Sequence, residues 1–116
     1  MKRLSHVHTL LTAVSLLVAP LLWADQLPDS ERQQELIYLL HQDCGSCHGM
    51  RLSGGLGPSI LADDLQNKPD EYLRLMIAKG NPDNAMPPWG NMLSESEIEF
   101  LVDRLRQRPA PMESNE

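Results

Sequence analysis

Cysteine is almost missing from this chain: Cys44 and Cys47 are the only two in 116 residues. That excludes a disulfide framework, because the one bridge they could form closes a tiny loop and constrains little of the unfolded chain. Aromatic residues are equally scarce, at 4%. With residues 1–24 set aside, Tyr38, Tyr72, Trp89 and Phe100 are all that remain. Small domains bury proportionally little surface, so an interior this poor in rings calls for a metal or a bulky apolar cofactor to complete it. Positive charge is in deficit as well. Ten Lys and Arg face sixteen Asp and Glu, a formal charge of −6, which argues against nucleic acid and anionic lipid as partners. Strand-like alternation and internal repeats are both lacking, which leaves an all-α domain.

No apolar run reaches membrane-spanning length. The longest, Leu10 to Trp23, has 14 residues, against the ~20 that cross a bilayer. Lys2 and Arg3 precede it, and Ala24 follows it ahead of the polar Asp25. Residues 1–24 therefore read as a secretory signal peptide removed after Ala24, with Leu22 larger than the residue usual at that position. Residues 25–116 form one exported domain, with an ordered core over about 30–107 and a disordered C-terminal tail. Its formal charge becomes −8 once Lys2 and Arg3 are lost. No stable membrane insertion is expected after removal of the leader.

Three helical stretches follow from periodicity. Ser30 and Gln33 form a capping-box pattern, and Gln33, Leu36, Ile37 and Leu40 then recur at helical spacing towards Cys44–His48. A second helix starts near Pro69, carries Asp70 and Glu71 in its first turn and the stripe Tyr72, Leu73, Met76 and Ile77, and stops at Lys79-Gly80. The third follows Ser94-Glu95-Ser96-Glu97, a second capping box, with Ile98, Leu101, Val102 and Leu105 on one face. Residues 49–60 hold four glycines and a proline and cannot be regular structure. Residues 81–90 form another loop.

Cys44-Gly45-Ser46-Cys47-His48 carries the chemistry. Two thiols three positions apart on one helical turn can each add to a vinyl group of haem, and the adjacent histidine then faces the iron, a spacing characteristic of c-type haem attachment. A dithiol redox pair wants a strand–helix context in a larger α/β fold. A zinc site from His41, Cys44, Cys47 and His48 would lack the loop that normally separates two ligand pairs.

The iron needs a sixth ligand. Met76 falls on a helical stripe, Met112 in the tail, and Met50 is too near His48 to reach the opposite face. Met86, on a loop stiffened by Pro87 and Pro88, is the choice, with Met92 second; neutral His/Met ligation raises the reduction potential. The Pro58 carbonyl is expected to accept a hydrogen bond from the other ring nitrogen of His48. His41 is expected to be a solvated helix residue. Leu52, Leu56, Pro87, Pro88 and Trp89 are candidates for the rim at which a partner docks.

With Cys44-x-x-Cys47-His48-Gly49, Gly57-Pro58, Met86-Pro87-Pro88 and the final helix in that order, residues 30–107 resemble a class I monohaem cytochrome c. The resemblance implies a small cytochrome c fold: three or more helices around one covalently attached haem c, held by Cys44 and Cys47, with His48 and Met86 axial. The chain departs from the common pattern at Leu36, where a glycine often lets the first and last helices approach. It departs again at Leu40 and Arg104, where aromatics often pack. The motifs around Asp43–Gly49, Ser53–Pro58, Ala85–Trp89 and Val102–Leu105 are similar to the NirC-type cytochromes of denitrifying bacteria. That resemblance implies a periplasmic electron carrier, not an enzyme, whose partner is the haem-d-containing nitrite reductase or a haem d maturation protein. The competing expectations are a carrier for another periplasmic oxidoreductase, and a haem sensor or enzyme with a displaceable sixth ligand.

Overall fold

The computed structural model describes residues 27–107; the leader expected over residues 1–24, Met112 and the expected C-terminal tail lie outside them. Five helices follow one another: α1 (Ser30–Leu39), α2 (Gly45–His48), α3 (Ala62–Leu65), α4 (Asp70–Lys79) and α5 (Glu95–Arg106). Among the described residues there is no strand, and the only β-type pairing is the isolated bridge between Asn81 and Met86. The all-α expectation holds.

The cap of α1 lies one residue earlier than the sequence pattern suggested. Asp29, extended at φ −62° and ψ 168°, accepts a hydrogen bond from the Arg32 amide at 2.9 Å. Gln33 donates instead to the Pro28 carbonyl at 2.7 Å. A carboxylate at this position gains from the positive end of the helix as well as from the hydrogen bond, so it outcompetes the Ser30 hydroxyl.

Between α1 and α2 the helix widens into a π-turn over Leu40–Cys44, where the Gly45 amide reaches back to the Leu40 carbonyl. The extra residue in that turn breaks the 3.6-residue phase. Leu40 and His41 are consequently both buried, at 2% and 5% exposed. His41 is therefore not the solvated residue expected from the uninterrupted helical pattern.

Helix α5 organises the core. Its Ser94 cap and Glu97 side chain form the expected reciprocal box. Ile98, Phe100, Leu101, Val102 and Leu105 are buried, and α5 packs against α1, α3 and α4. Leu36, with no exposed surface, belongs to the same cluster as these residues. At the other departure from the family pattern, the Arg104 guanidinium stacks 4.9 Å over the Phe100 ring. A flat cation thus supplies stacking surface where an aromatic is usual.

Polar contacts tie the helices at their ends. Arg32 of α1 bonds Glu97 of α5 at 2.5 Å, and Arg74 of α4 bonds Glu99 of α5 at 2.6 Å. Arg106 reaches Asp70 and the backbone carbonyls of Leu65 and Lys68. The α4 stripe differs from expectation in one respect. Leu73 is buried, but Tyr72 is 44% exposed and lies beneath the Lys68 ammonium.

Candidate functional site

The site begins where α2 ends. Cys44 closes the π-turn, and Cys47 and His48 follow within one helical turn. The two thiols are unbridged, Cys44 partly buried and Cys47 exposed. Burial, helped by the Asp43 carboxylate, pushes the Cys44 thiol up to about 11. A thiol held protonated at neutral pH is the opposite of the activated thiolate that a dithiol oxidoreductase requires.

The loop after His48 folds back on α2 through backbone bonds. The Gly54 amide donates to the His48 carbonyl at 2.7 Å, and the Gly57 amide to the Cys47 carbonyl at 2.8 Å. This return brings the Pro58 carbonyl 2.7 Å from His48 Nδ1, the hydrogen bond foreseen from the Gly57-Pro58 pair. Since a carbonyl only accepts, Nδ1 carries the proton and Nε2 keeps its lone pair for a metal. Gly57 is required by close approach: a Cβ there would sit 3.0 Å from both Cε1 and Nδ1 of His48.

Met86 lies on the α4–α5 loop, whose backbone is fastened on both sides. Asn81 and Met86 exchange hydrogen bonds of 2.9 and 3.1 Å. Beyond the two prolines, the Trp89 and Gly90 amides each donate at 3.0 Å to the Ile77 and Ala78 carbonyls at the end of α4. Ala85, at φ 56°, turns the chain into Met86. The alternatives are placed differently. Met50 and Met92 are 57% and 64% exposed, and Met50 Sδ lies back over Gly45. Met76 is on α4.

Of the proposed rim residues, Leu56 is 93% exposed and Pro87 and Pro88 are exposed, with Trp89 half-buried. Leu52 is corrected: at 1% exposed it is core, turned inward by a left-handed backbone at φ 59°. Among the described residues no cluster of three His, Cys, Asp or Glu side chains is placed to hold a bare metal ion. The donor set fits haem instead: two free thiols on one turn, an imidazole oriented through Nδ1, and a thioether on a braced loop.

Comparison with known proteins identifies the family. A protein-family model described as "Cytochrome C oxidase, cbb3-type, subunit III" matches residues 31–103. The cytochrome c55X of Pseudomonas aeruginosa is 52% identical over 82 residues, covering 71% of this chain and 69% of that protein. A solved structure of the c-type cytochrome NirC aligns with a TM-score of 0.67 at 50% identity, covering 69% of this chain and 94% of that one. The dihydro-heme d1 dehydrogenase of Pseudomonas aeruginosa is 31% identical over 97 residues, which are 84% of this chain and 18% of that enzyme. The chain belongs to the class I monohaem cytochromes c, electron carriers with covalently bound haem c. Within them it is of the NirC type, the group of the cytochromes c55X.

Among the described residues no helix is long and apolar enough to cross a membrane. Sequence reasoning missed the π-turn, the burial of His41 and Leu52, and the fastening of the methionine loop to α4. Only Gly80 and Gly90, flanking that loop, hinted at the last of these.

Proposed function

We propose that Cys44 and Cys47 hold one haem c per chain through two thioethers, that His48 and Met86 are its axial ligands, and that the protein is a periplasmic electron carrier. Its partner is the haem-d-containing nitrite reductase or a protein of haem d maturation. The observation that carries the ligand assignment is the 2.7 Å bond between His48 Nδ1 and the Pro58 carbonyl, which leaves Nε2 as the free donor beside two unbridged thiols.

Haem iron supplies a one-electron couple when bound. The chain's own contacts would hold the ligand geometry nearly constant between the two redox states. Pro58 fixes the plane of the His48 ring, and the Asn81–Met86 bridge with the two bonds to α4 restrains Met86. Such bracing keeps reorganisation small. The exposed Leu56, Pro87 and Pro88 offer an apolar rim for the brief, small encounters typical of redox partners, which bury less than ~1,200 Å². The similarity to a segment of the dihydro-heme d1 dehydrogenase supports a role beside haem d chemistry. The leader-like pattern of residues 1–24 supports the periplasm.

Purified from cells competent in c-type cytochrome maturation, the protein should keep its colour through acid-acetone extraction. The Met86→Ala variant should lose the weak long-wavelength sulfur–iron band of the ferric state and bind added imidazole, whereas Met92→Ala should do neither. Colour that extracts into the solvent refutes the covalent attachment, and an unchanged Met86→Ala spectrum refutes the ligand. Mixing the reduced protein with oxidised haem-d nitrite reductase tests the partner separately.

A further inference from the structure

A groove of about 390 Å³ runs between α4 and α5, lined by none of the residues assigned to haem. Its position follows from two helical stripes. Glu71, Arg74, Leu75 and Ala78 of α4 lie at i, i+3, i+4 and i+7, and they converge on Glu95, Ile98 and Glu99 of α5. The groove's lining is mixed, with Leu75, Ala78 and Ile98 as the apolar part. Ile98 is buried, while Leu75 is 46% exposed, a large aliphatic side chain left half-uncovered between carboxylates.

The rim is acidic and partly rigid. Arg74 holds Glu71 at 3.3 Å and Glu99 at 2.6 Å, so two of the three carboxylates are fixed across the groove. Glu95, in the first turn of α5, forms no ion pair among the described residues. Three carboxylates against one guanidinium leave an excess of two negative charges around the apolar side chains.

We propose that this groove docks a basic, apolar segment of a partner protein. An aliphatic side chain would cover Leu75 and Ile98, and a neighbouring Lys or Arg would be drawn to Glu95 and Glu99. A lysine suits such a site well, since its methylene stem can lie on apolar surface while its ammonium meets the rim. The acidic rim also speeds encounter with a basic partner and weakens with salt. Ala78, in the lining, receives the Gly90 amide through its carbonyl at 3.0 Å. The groove therefore abuts the anchor of the methionine loop, and a partner seated there lies alongside that loop. Only the purpose of this docking rests on the carrier reading; the binding itself does not depend on which side chains ligate iron.

The test uses the isotope-labelled holoprotein and two synthetic peptides of equal positive charge, one Lys/Leu amphipathic and one Lys/Ser. Amide shifts from the Lys/Leu peptide should converge on Leu75, Ala78, Ile98 and Glu99 and shrink as salt is raised. Leu75→Ser should weaken binding roughly tenfold through lost apolar burial, and Glu95→Gln about threefold at low salt. The Lys/Ser peptide should bind at least about tenfold more weakly than the Lys/Leu peptide. Equal binding of the two peptides overturns the proposal, as does a response confined to Leu56 and Pro87–Trp89. Groove shifts that depend on protein concentration alone would identify a second copy of the chain as occupant, and that too overturns it.

Discussion

Replacing Gly80 by alanine should dislodge Met86 while leaving its side chain unchanged. Gly80 ends α4 at φ 69° and ψ −172°, a region that costs a residue with a side chain about 1–3 kcal/mol. Its added Cβ would collide with the Met86 carbonyl oxygen and sit 2.7 Å from the Pro87 carbonyl carbon and 2.8 Å from the Pro88 nitrogen. All three are backbone atoms and cannot rotate aside, so the loop itself must move. Moving it breaks the Asn81–Met86 pair of hydrogen bonds, each worth about 1 kcal/mol net. A total of about 3–5 kcal/mol follows, and at about 4–8 °C per kcal/mol for a domain of this size the melting temperature should fall by at least about 12 °C. The ferric sulfur–iron band should weaken in the same sample. Gly45→Ala is the control: its Cβ would meet Met50 Cα at an ordinary 3.5 Å, and helical backbone accepts alanine readily. A Gly80→Ala protein with wild-type melting and an intact band would refute the claim that this close approach positions Met86.

Three further outcomes are expected. Gly57→Ala presses on the His48 ring and weakens its bond to Pro58; a loss of about 1 kcal/mol of ligand stabilisation corresponds to roughly 40 mV. The shift should be upward in a spectroelectrochemical titration, because a weaker acceptor at Nδ1 makes the imidazole less basic. The Ser94 amide, followed by Arg32, holds the Glu97 carboxyl below the usual range. Its contribution is thus present above the unfolded value near ~4.3 and lost as pH falls through the lower folded value, so Glu97→Gln should melt lower than wild type at neutral pH and match it in strong acid. Leu36→Ala, at a fully buried site, should cost about 2–5 kcal/mol in denaturant titration, whereas Leu56→Ala, at 93% exposed, should stay within about 0.5 kcal/mol.

The legible parts of this protein are those governed by local rules. The Ser94–Glu97 box and the stop at Gly80 depend on residues within a few positions of one another, and each stands where the sequence placed it. The failures share a cause. Asp29 displaced Ser30 as the cap because two good acceptors stood side by side, and only the backbone course decides between them. His41 was misjudged because a π-turn leaves no mark in composition, yet it changes the phase of every residue after it. Leu52 looked like loop surface until its left-handed backbone turned it inward. Long-range pairs such as Arg32–Glu97 and Arg74–Glu99 have no sequence signal at all, since any of several carboxylates would satisfy the same arginine.

The two loops that carry the proposed ligand machinery are anchored by the same device. A helix leaves its last carbonyls without intrahelical partners, and here those carbonyls accept from the loops. The Cys47 and His48 carbonyls at the end of α2 take the Gly57 and Gly54 amides. At the end of α4, Ile77 and Ala78 take Trp89 and Gly90. Three of these four donors are glycine amides, and at Gly90 the reason is close approach: a Cβ there would stand 2.9 Å from the Ala78 oxygen. Backbone therefore does the bracing that aromatic packing would otherwise supply. This is why a chain with so few rings can still restrain His48 at the end of α2 and Met86 on the α4–α5 loop, and why substitutions at its glycines should disturb the proposed ligands more than most substitutions in the loop side chains.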